Sequence, residues 1–297
     1  MLTQIGILKK YGLSVKGHLG QHLLIDPNMQ RRIVDLLEAE PGEEIFEIGP
    51  GLGALTGRLL ERGCKVRAVE KDPQFTGILK KEFPVFLEKG FFKILEGDVL
   101  KTDIRKWLAP KKGETGRRKL VGNLPYYITA PIIFELMAVR RDLSRAVLTM
   151  QKEVAERLVA SPGSKDYGRL TLGVRYGAET RHAFDIPPSC FTPSPSVHSS
   201  VMVLDFHDIR ECLDPDEEKR LFDLIARAFS QRRKTLLGLL ASWAQPALSR
   251  AQLEEIFSRL GFAPMVRGEE LLLKDFIALG RELAAAAGQK PGAKESR

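Results

Sequence analysis

A side-chain amide, a proline-fixed backbone and an aromatic ring stand side by side in Asn123-Leu124-Pro125-Tyr126. Such a set can hold a planar, conjugated amine. The Asn123 side-chain carbonyl and the Leu124 backbone carbonyl accept from its N–H groups, Pro125 fixes that backbone, and Tyr126 stacks on the ring. Acceptors suffice, because localising the lone pair as the C–N bond leaves conjugation makes the nitrogen nucleophilic without a strong base. The exocyclic N6 of adenine is such an amine, and a stacked, pinched base must be unstacked or flipped from its helix. Strand-to-helix turns in general also favour Asn and Pro, so the motif gains its weight from its neighbours.

The second constellation is a set of groups at three successive strand ends. Glu47-Ile48-Gly49-Pro50-Gly51-Leu52-Gly53 forms a glycine turn where a backbone can approach a nucleotide-like ligand without a Cβ in the way. Alone, this turn leaves a dinucleotide site or a plain tight turn open. Glu70 closes the next strand, where a carboxylate can accept both ribose hydroxyls, and Asp98 in Glu96-Gly97-Asp98-Val99 is placed to accept from an adenine amino group. Each acid alone reads more readily as a turn or surface residue. The full Gly-x-Gly-x-x-Gly pattern, a phosphate-binding loop and a metal-ligand cluster are all missing, so S-adenosylmethionine, an adenosine without phosphates, suits the set better than NAD or ATP.

The elements that must position these groups alternate. Short β-type runs at Glu44 to Ile48, Lys65 to Glu70, Phe91 to Leu95, Lys119 to Gly122 and Arg145 to Met150 are separated by amphipathic stretches such as Ala54 to Arg62 and Pro73 to Glu82. That order predicts an α/β fold with a mostly parallel sheet covered on both faces. Val-rich His198 to Phe206 adds a strand. After Asp214 only helical periodicity remains, over Asp216 to Trp243, Ser249 to Leu260 and Leu273 to Ala285. The expected division is residues 1–208 as the α/β domain, 209–285 as a small helical domain and 286–297 as a frayed tail.

Composition narrows the class. The chain has 297 residues, 43% of them hydrophobic, enough for a real core, and no apolar run of membrane-spanning length. The N-terminus lacks the apolar stretch of a signal peptide, so cytoplasm is the expected compartment. Cys64, Cys190 and Cys212 have no Cys-x-x-Cys spacing, which points to packing thiols rather than a disulfide framework or zinc site. The net charge of +8 suggests a polyanionic partner, and its whole excess lies before residue 186. The densest basic piece, Arg105 to Lys119, directly precedes the Asn123 motif. It reads as a phosphate-contacting patch or as a solvated loop.

Taken together, these residues resemble the bacterial small-subunit ribosomal RNA adenine dimethyltransferases, the KsgA/RsmA group, which is related to the Erm resistance methyltransferases. Besides the two motifs above, the resemblance runs through Leu19-Gly20-Gln21-His22-Leu23-Leu24, Gln151-Lys152-Glu153-Val154-Ala155 and Tyr167-Gly168-Arg169-Leu170. It continues in Phe191, Pro193, Pro195, Val197 and Ser199, and in Gln231-Arg232-Arg233-Lys234-Thr235. It implies a Rossmann-like, seven-stranded methyltransferase sheet with one reversed strand and a small helical C-terminal domain. It also implies two methyl transfers onto each of two adjacent adenines in the 3′-terminal hairpin of 16S RNA, within the pre-30S ribosomal particle, by a monomer.

Carried over by position, the resemblance assigns Gln21, His22 and Leu24 to the methionine end of the cofactor, Gly49 and Gly51 to its middle, Glu70 to the ribose, and Asp98 with Val99 to the adenine. Asn123 touches both substrates, and Phe191 stacks on the target base opposite Tyr126. Phe191 by itself reads more readily as core. The group usually reads Gly-Gln-Asn-Phe-Leu where this chain has His22 and Leu23; an imidazole still offers a donor and an acceptor. Lys111, Lys112, Arg117, Arg118, Arg232, Arg233 and Lys234 are the expected RNA contacts, with an ion-pair role equally open for the last three. No metal is expected. The alternatives are an Erm-like enzyme for 23S RNA and an assembly checkpoint acting by binding. Asn-Leu-Pro-Tyr, rather than Asp-Pro-Pro-Tyr, disfavours a DNA enzyme.

Overall fold

The structure is a computed structural model and describes residues 3–14, 21–108, 116–207, 213–243 and 247–288. Nine strands are formed among the described residues: β1 (Leu23–Leu24), β2 (Glu44–Ile48), β3 (Lys65–Glu70), β4 (Phe92–Glu96), β5 (Arg118–Asn123), β6 (Leu143–Gln151), β7 (Ala178–Ile186), β8 (Phe191–Thr192) and β9 (Ser199–Phe206). Seven make one sheet in the order β4-β3-β2-β5-β6-β9-β7, and β1 with β8 makes a separate two-stranded ribbon. The pairs from β4 through β6 are parallel, whereas β9 runs antiparallel to both of its neighbours and is the reversed strand. The seven-stranded sheet with one reversed strand that the family resemblance implies is therefore present.

Parallel central strands are buried on both faces and read as near-continuous apolar runs, which is why β2 and β5 are legible. All five residues of β2 are buried. On one face, Ile33 and Leu59 from helices Pro27–Asp35 and Ala54–Glu61 close over Ile45, Val66, Val121 and Val147. Ile132, Ile133 and Leu136 of helix Thr129–Ala138 are fully buried as well. After β3 an aspartate starts the next helix: the Asp72 side chain accepts from Gln74 N as cap of Pro73–Glu82.

Strand β7 is absent from the sequence-based expectation. Its residues Glu179, Arg181 and His182 are exposed or half-buried, the usual dress of an edge strand, and so it carries no apolar alternation. The expected helix over Asp216 to Trp243 is two helices, Pro215–Ala228 and Leu236–Trp243. Between them the Ser230 hydroxyl donates to the Arg227 carbonyl and the Thr235 hydroxyl accepts from Gly238 N, side-chain bonds that compete with a continuous helix.

The chain forms two compact units, one of Met1–Glu156 with Ala178–His207, the other of Arg157–Gly177 with Asp208–Arg297. The helical unit takes helix Arg169–Gly177, which the expected contiguous division at 1–208 assigned to the sheet domain. Leu172 and Tyr176 of that helix pack with Leu221, Leu224, Leu253 and Phe276, and that apolar face holds them there.

Candidate active site at the carboxyl ends of the strands

Strands β2, β3, β4 and β5 end on a cavity of about 440 Å³, a size suited to a small-molecule ligand. Its wall includes Gln21, His22, Gly49, Gly51, Glu70, Asp98, Val99, Asn123, Leu124, Pro125 and Tyr126. The parallel register brings Ile48, Val69, Leu95 and Gly122 level with one another, so the turns that follow converge on one edge.

Glycine is required where the turn after β2 meets the cavity. Gly49 and Gly51 have φ of +66° and +57°, and a Cβ on Gly51 would lie 3.0 Å from the Leu23 side chain. Gly51 N donates to Glu70 Oε2 at 2.9 Å, while Asp72 N donates to Oε1 at 2.9 Å. The Glu70 carboxylate is thus held at a fixed angle with lone pairs to spare. Its burial raises its pKa, and the N–H groups of Asp72 and Gly51 pull it back down. Asp98 behaves oppositely. Lys71 Nζ lies 3.0 Å from it and Leu100 N donates to it, and the lysine hydrogen bond holds its pKa below the usual carboxylate value.

One buried acid has no role in the sequence-based assignment. Glu47, at the end of β2, is 1% exposed and accepts from the Thr56 hydroxyl at 2.6 Å. Complete burial pushes its pKa up to about 7.

The acceptor motif follows β5. Asn123 Nδ2 donates to the His22 carbonyl at 2.8 Å, and since that carbonyl can only accept, the amide is fixed with Oδ1 turned the other way. Leu124 N donates to the Thr149 carbonyl, and the Thr129 hydroxyl donates to the Pro125 carbonyl at 3.1 Å, pinning the backbone on both sides. Gly122 allows the approach, because a Cβ there would sit 2.9 Å from the Leu124 side chain and 3.1 Å from the Ile48 carbonyl. The half-buried Tyr126 ring is anchored by its hydroxyl, 2.7 Å from Ser199 Oγ.

Two expected site residues are placed elsewhere. Leu24 and Phe191 are 2% and 3% exposed, face each other across the β1–β8 ribbon, and belong to the sheet core rather than the cavity wall. Their apolar side chains take the burial on offer. Conversely, Lys71, Asp72 and Tyr127 line the cavity although the motifs do not single them out. Asp72 accepts from the Gln21 side chain at 3.1 Å, and its Asp-Pro helix start is the available signal.

The expected cationic contacts divide. Lys111 and Lys112 lie outside the described residues. Arg118 is largely buried, donates to the Leu108 carbonyl and pairs with Glu44, so it braces the sheet edge rather than offering its charge outward. Arg117 donates to the Arg140 carbonyl. Arg232 pairs with Glu269 at 2.9 Å and donates to the carbonyls of Ser164, Lys165 and Tyr167, all within the helical unit. Arg233 and Lys234 are exposed.

The wall chemistry fits S-adenosylmethionine. A positive-φ glycine cradle leaves room for a ligand backbone, and Glu70, Asp72 and Asp98 make a wall that favours a cationic, phosphate-free nucleoside over a nucleotide. Among the described residues no three His, Cys, Asp or Glu side chains converge on a possible metal position. None of the described helices is long and apolar enough to cross a membrane.

A family model described as ribosomal RNA adenine dimethylase matches residues 12–256. The chain belongs to that family. This adenine dimethylase is 38% identical over 287 residues to ribosomal RNA small subunit methyltransferase A of Geobacillus kaustophilus, covering 95% of this chain and 96% of the relative. It is 40% identical over 283 residues to the protein of that name in Lactobacillus acidophilus, covering 94% and 95%. Among solved structures it resembles a dimethyladenosine transferase from Plasmodium falciparum, with a TM-score of 0.73 and 26% identity, covering 90% of this chain and 99% of that one. The 23S rRNA methyltransferase ErmE shares the fold, with a TM-score of 0.64 and 22% identity over 88% of this chain and 99% of its own. This adenine dimethylase is accordingly an S-adenosylmethionine-dependent methyltransferase that acts on ribosomal RNA.

Proposed function

We propose that this adenine dimethylase methylates N6 of two adjacent adenines in the 3′-terminal hairpin of 16S RNA, working as a cytoplasmic monomer on the pre-30S particle. The observation that carries the chemistry is the fixed amide of Asn123, whose Nδ2 is committed to the His22 carbonyl and whose Oδ1 is thereby left to accept. The small-subunit relatives, alike over nearly their whole length, support the choice of RNA.

When bound, S-adenosylmethionine supplies an electrophilic methyl group. Gly49, Gly51, Glu70, Asp98 and Val99 would hold it, and Gln21 reaches the same wall. Asn123 Oδ1 and the Leu124 carbonyl accept from the adenine amine and turn its lone pair out of the ring system, while Tyr126 fixes the base plane. One of the two acceptors stays engaged after the first transfer, because one N–H remains on the singly methylated nitrogen.

The test is methyl transfer from labelled S-adenosylmethionine to under-methylated 30S particles, with mass mapping of the RNA and an Asn123→Ala control. Dimethyladenosine at two neighbouring 3′-terminal positions, lost in the control, is the expected result. Methyl on 23S RNA alone overturns the substrate assignment. Full growth rescue by a folded, particle-binding Asn123→Ala variant would make binding, not transfer, the cellular role.

A further inference from the structure

His22 grips both ends of the acceptor motif from a single position. Its backbone carbonyl accepts from Asn123 Nδ2 at 2.8 Å, and its imidazole lies over the Tyr126 ring, with centroids 5.2 Å apart and planes inclined by 27°. At that separation the two rings are in contact and no third ring fits between them.

The imidazole is itself restrained. Nδ1 lies 2.7 Å from the Pro193 carbonyl, which can only accept, so Nδ1 carries the proton and donates. The residues beside each partner are paired to one another, Leu23 with Thr192 and Leu24 with Phe191, in the buried β1–β8 ribbon. Tyr126 is held at its far end by Ser199. Ring, carbonyl and platform therefore form one connected assembly anchored in the core.

We propose that His22 is a positioning residue for the target base. Its imidazole covers one face of Tyr126, sets the plane of that ring relative to Asn123, and leaves the opposite face as the surface on which the base stacks. The proposal rests on the reading of Tyr126 as the base platform. The ribbon of β1 and β8 then serves to carry an aromatic brace to the motif. A residue so placed acts on docking of the base, whereas the family resemblance assigns this position to the cofactor.

Three variants separate the ring from the hydrogen bond. His22→Ala removes both but keeps the backbone carbonyl for Asn123. His22→Phe restores a ring face without the donor, and His22→Asn restores a donor for Pro193 without the ring face. Steady-state transfer to under-methylated 30S particles gives the KM for the particle and kcat, and calorimetry gives the affinity for S-adenosylhomocysteine. The expected result is a particle KM raised about three- to tenfold in His22→Ala and His22→Asn, as for loss of an aromatic pair, with His22→Phe within about twofold of the parent. The particle KM is expected to change more than the affinity for S-adenosylhomocysteine in His22→Ala and His22→Asn, since His22 borders the cavity but its imidazole is committed to Tyr126 and the Pro193 carbonyl.

Loss of S-adenosylhomocysteine affinity in His22→Ala, recovered in His22→Asn, overturns the proposal in favour of a cofactor contact. Faster transfer by His22→Ala overturns it too, because the ring would then be obstructing the base. An unchanged particle KM does the same. A parent protein that binds S-adenosylhomocysteine but methylates no particle overturns the functional reading itself, an outcome distinct from failure of the variants alone.

Discussion

The Gly51 backbone N–H donates to Glu70 Oε2 at 2.9 Å, tying the glycine turn after β2 to the last residue of β3. The same carboxylate accepts from Asp72 N through its other oxygen. Glu70 therefore shapes the cradle as well as presenting a charge to it, and the two roles respond differently to substitution.

Glu70→Gln keeps the volume but replaces one accepting oxygen with an NH2 group, which then faces either Gly51 N–H or Asp72 N–H. A buried donor left against a donor costs about 1–3 kcal/mol. The expected outcome is a lower melting temperature and S-adenosylhomocysteine affinity weakened about tenfold or more, measured by calorimetry. Unchanged affinity would remove Glu70 from the cofactor wall.

Glu47 makes stability depend on pH. Its folded-state pKa is raised from 4.5 to about 7 by burial, so the folded chain holds a proton that the unfolded chain has released. Stability from this group is full below about pH 4.5 and is lost as pH rises towards about 7, a change on the order of 3 kcal/mol. Glu47→Gln keeps an oxygen for Thr56 and has no charge to bury. Its melting temperature is expected to gain on the parent steadily between about pH 5 and 7.5; parallel curves would show that Glu47 does not titrate there.

Two glycines of the same turn are expected to fail differently. Gly53 has φ of +82°, and a Cβ on it would lie 2.6 Å from the Phe83 ring. Gly53→Ala should cost about 2–4 kcal/mol, from left-handed strain plus overpacking. Gly51→Ala meets only the end of the Leu23 side chain, so it should cost about 1 kcal/mol in stability while weakening the cofactor. Thermal melts with and without S-adenosylhomocysteine separate the two: the ligand-induced shift should shrink in Gly51→Ala and survive in Gly53→Ala.

The parts of this architecture legible in the sequence are those set by local pattern. Strand β3 and helix Pro73–Glu82 fall on the residues expected, because an apolar run followed by Asp-Pro marks both a strand end and a helix start. The convergence of Glu70, Asp98 and Asn123 follows from parallel register once the strands are known. Side-chain destinations set by distant pairing are not legible. Leu24 and Phe191 look alike as site or core until the β1–β8 register places them opposite each other. The His22–Tyr126 stack likewise joins residues with no sequence relationship. Arg118 is spoken for by Glu44 across the sheet, which no count of basic residues reveals.

The two adjacent arginines of the helical unit give the last contrast. Arg232 makes a fork to Glu269 and reaches the carbonyls of Ser164, Lys165 and Tyr167, so it fastens the connection before helix Arg169–Gly177. Arg233 is exposed beside it. Arg232→Ala is expected to lower the melting temperature and leave the salt dependence of particle binding unchanged. Arg233→Ala should leave the melting temperature unchanged and reduce the slope of log K against log salt by about one, the signature of one lost phosphate contact. Titrations at several salt concentrations, run on both variants beside the parent, read this directly. Equal slopes for Arg233→Ala and parent would take Arg233 off the RNA surface, and a reduced slope for a fully stable Arg232→Ala would show that its guanidinium leaves Glu269 to meet phosphate.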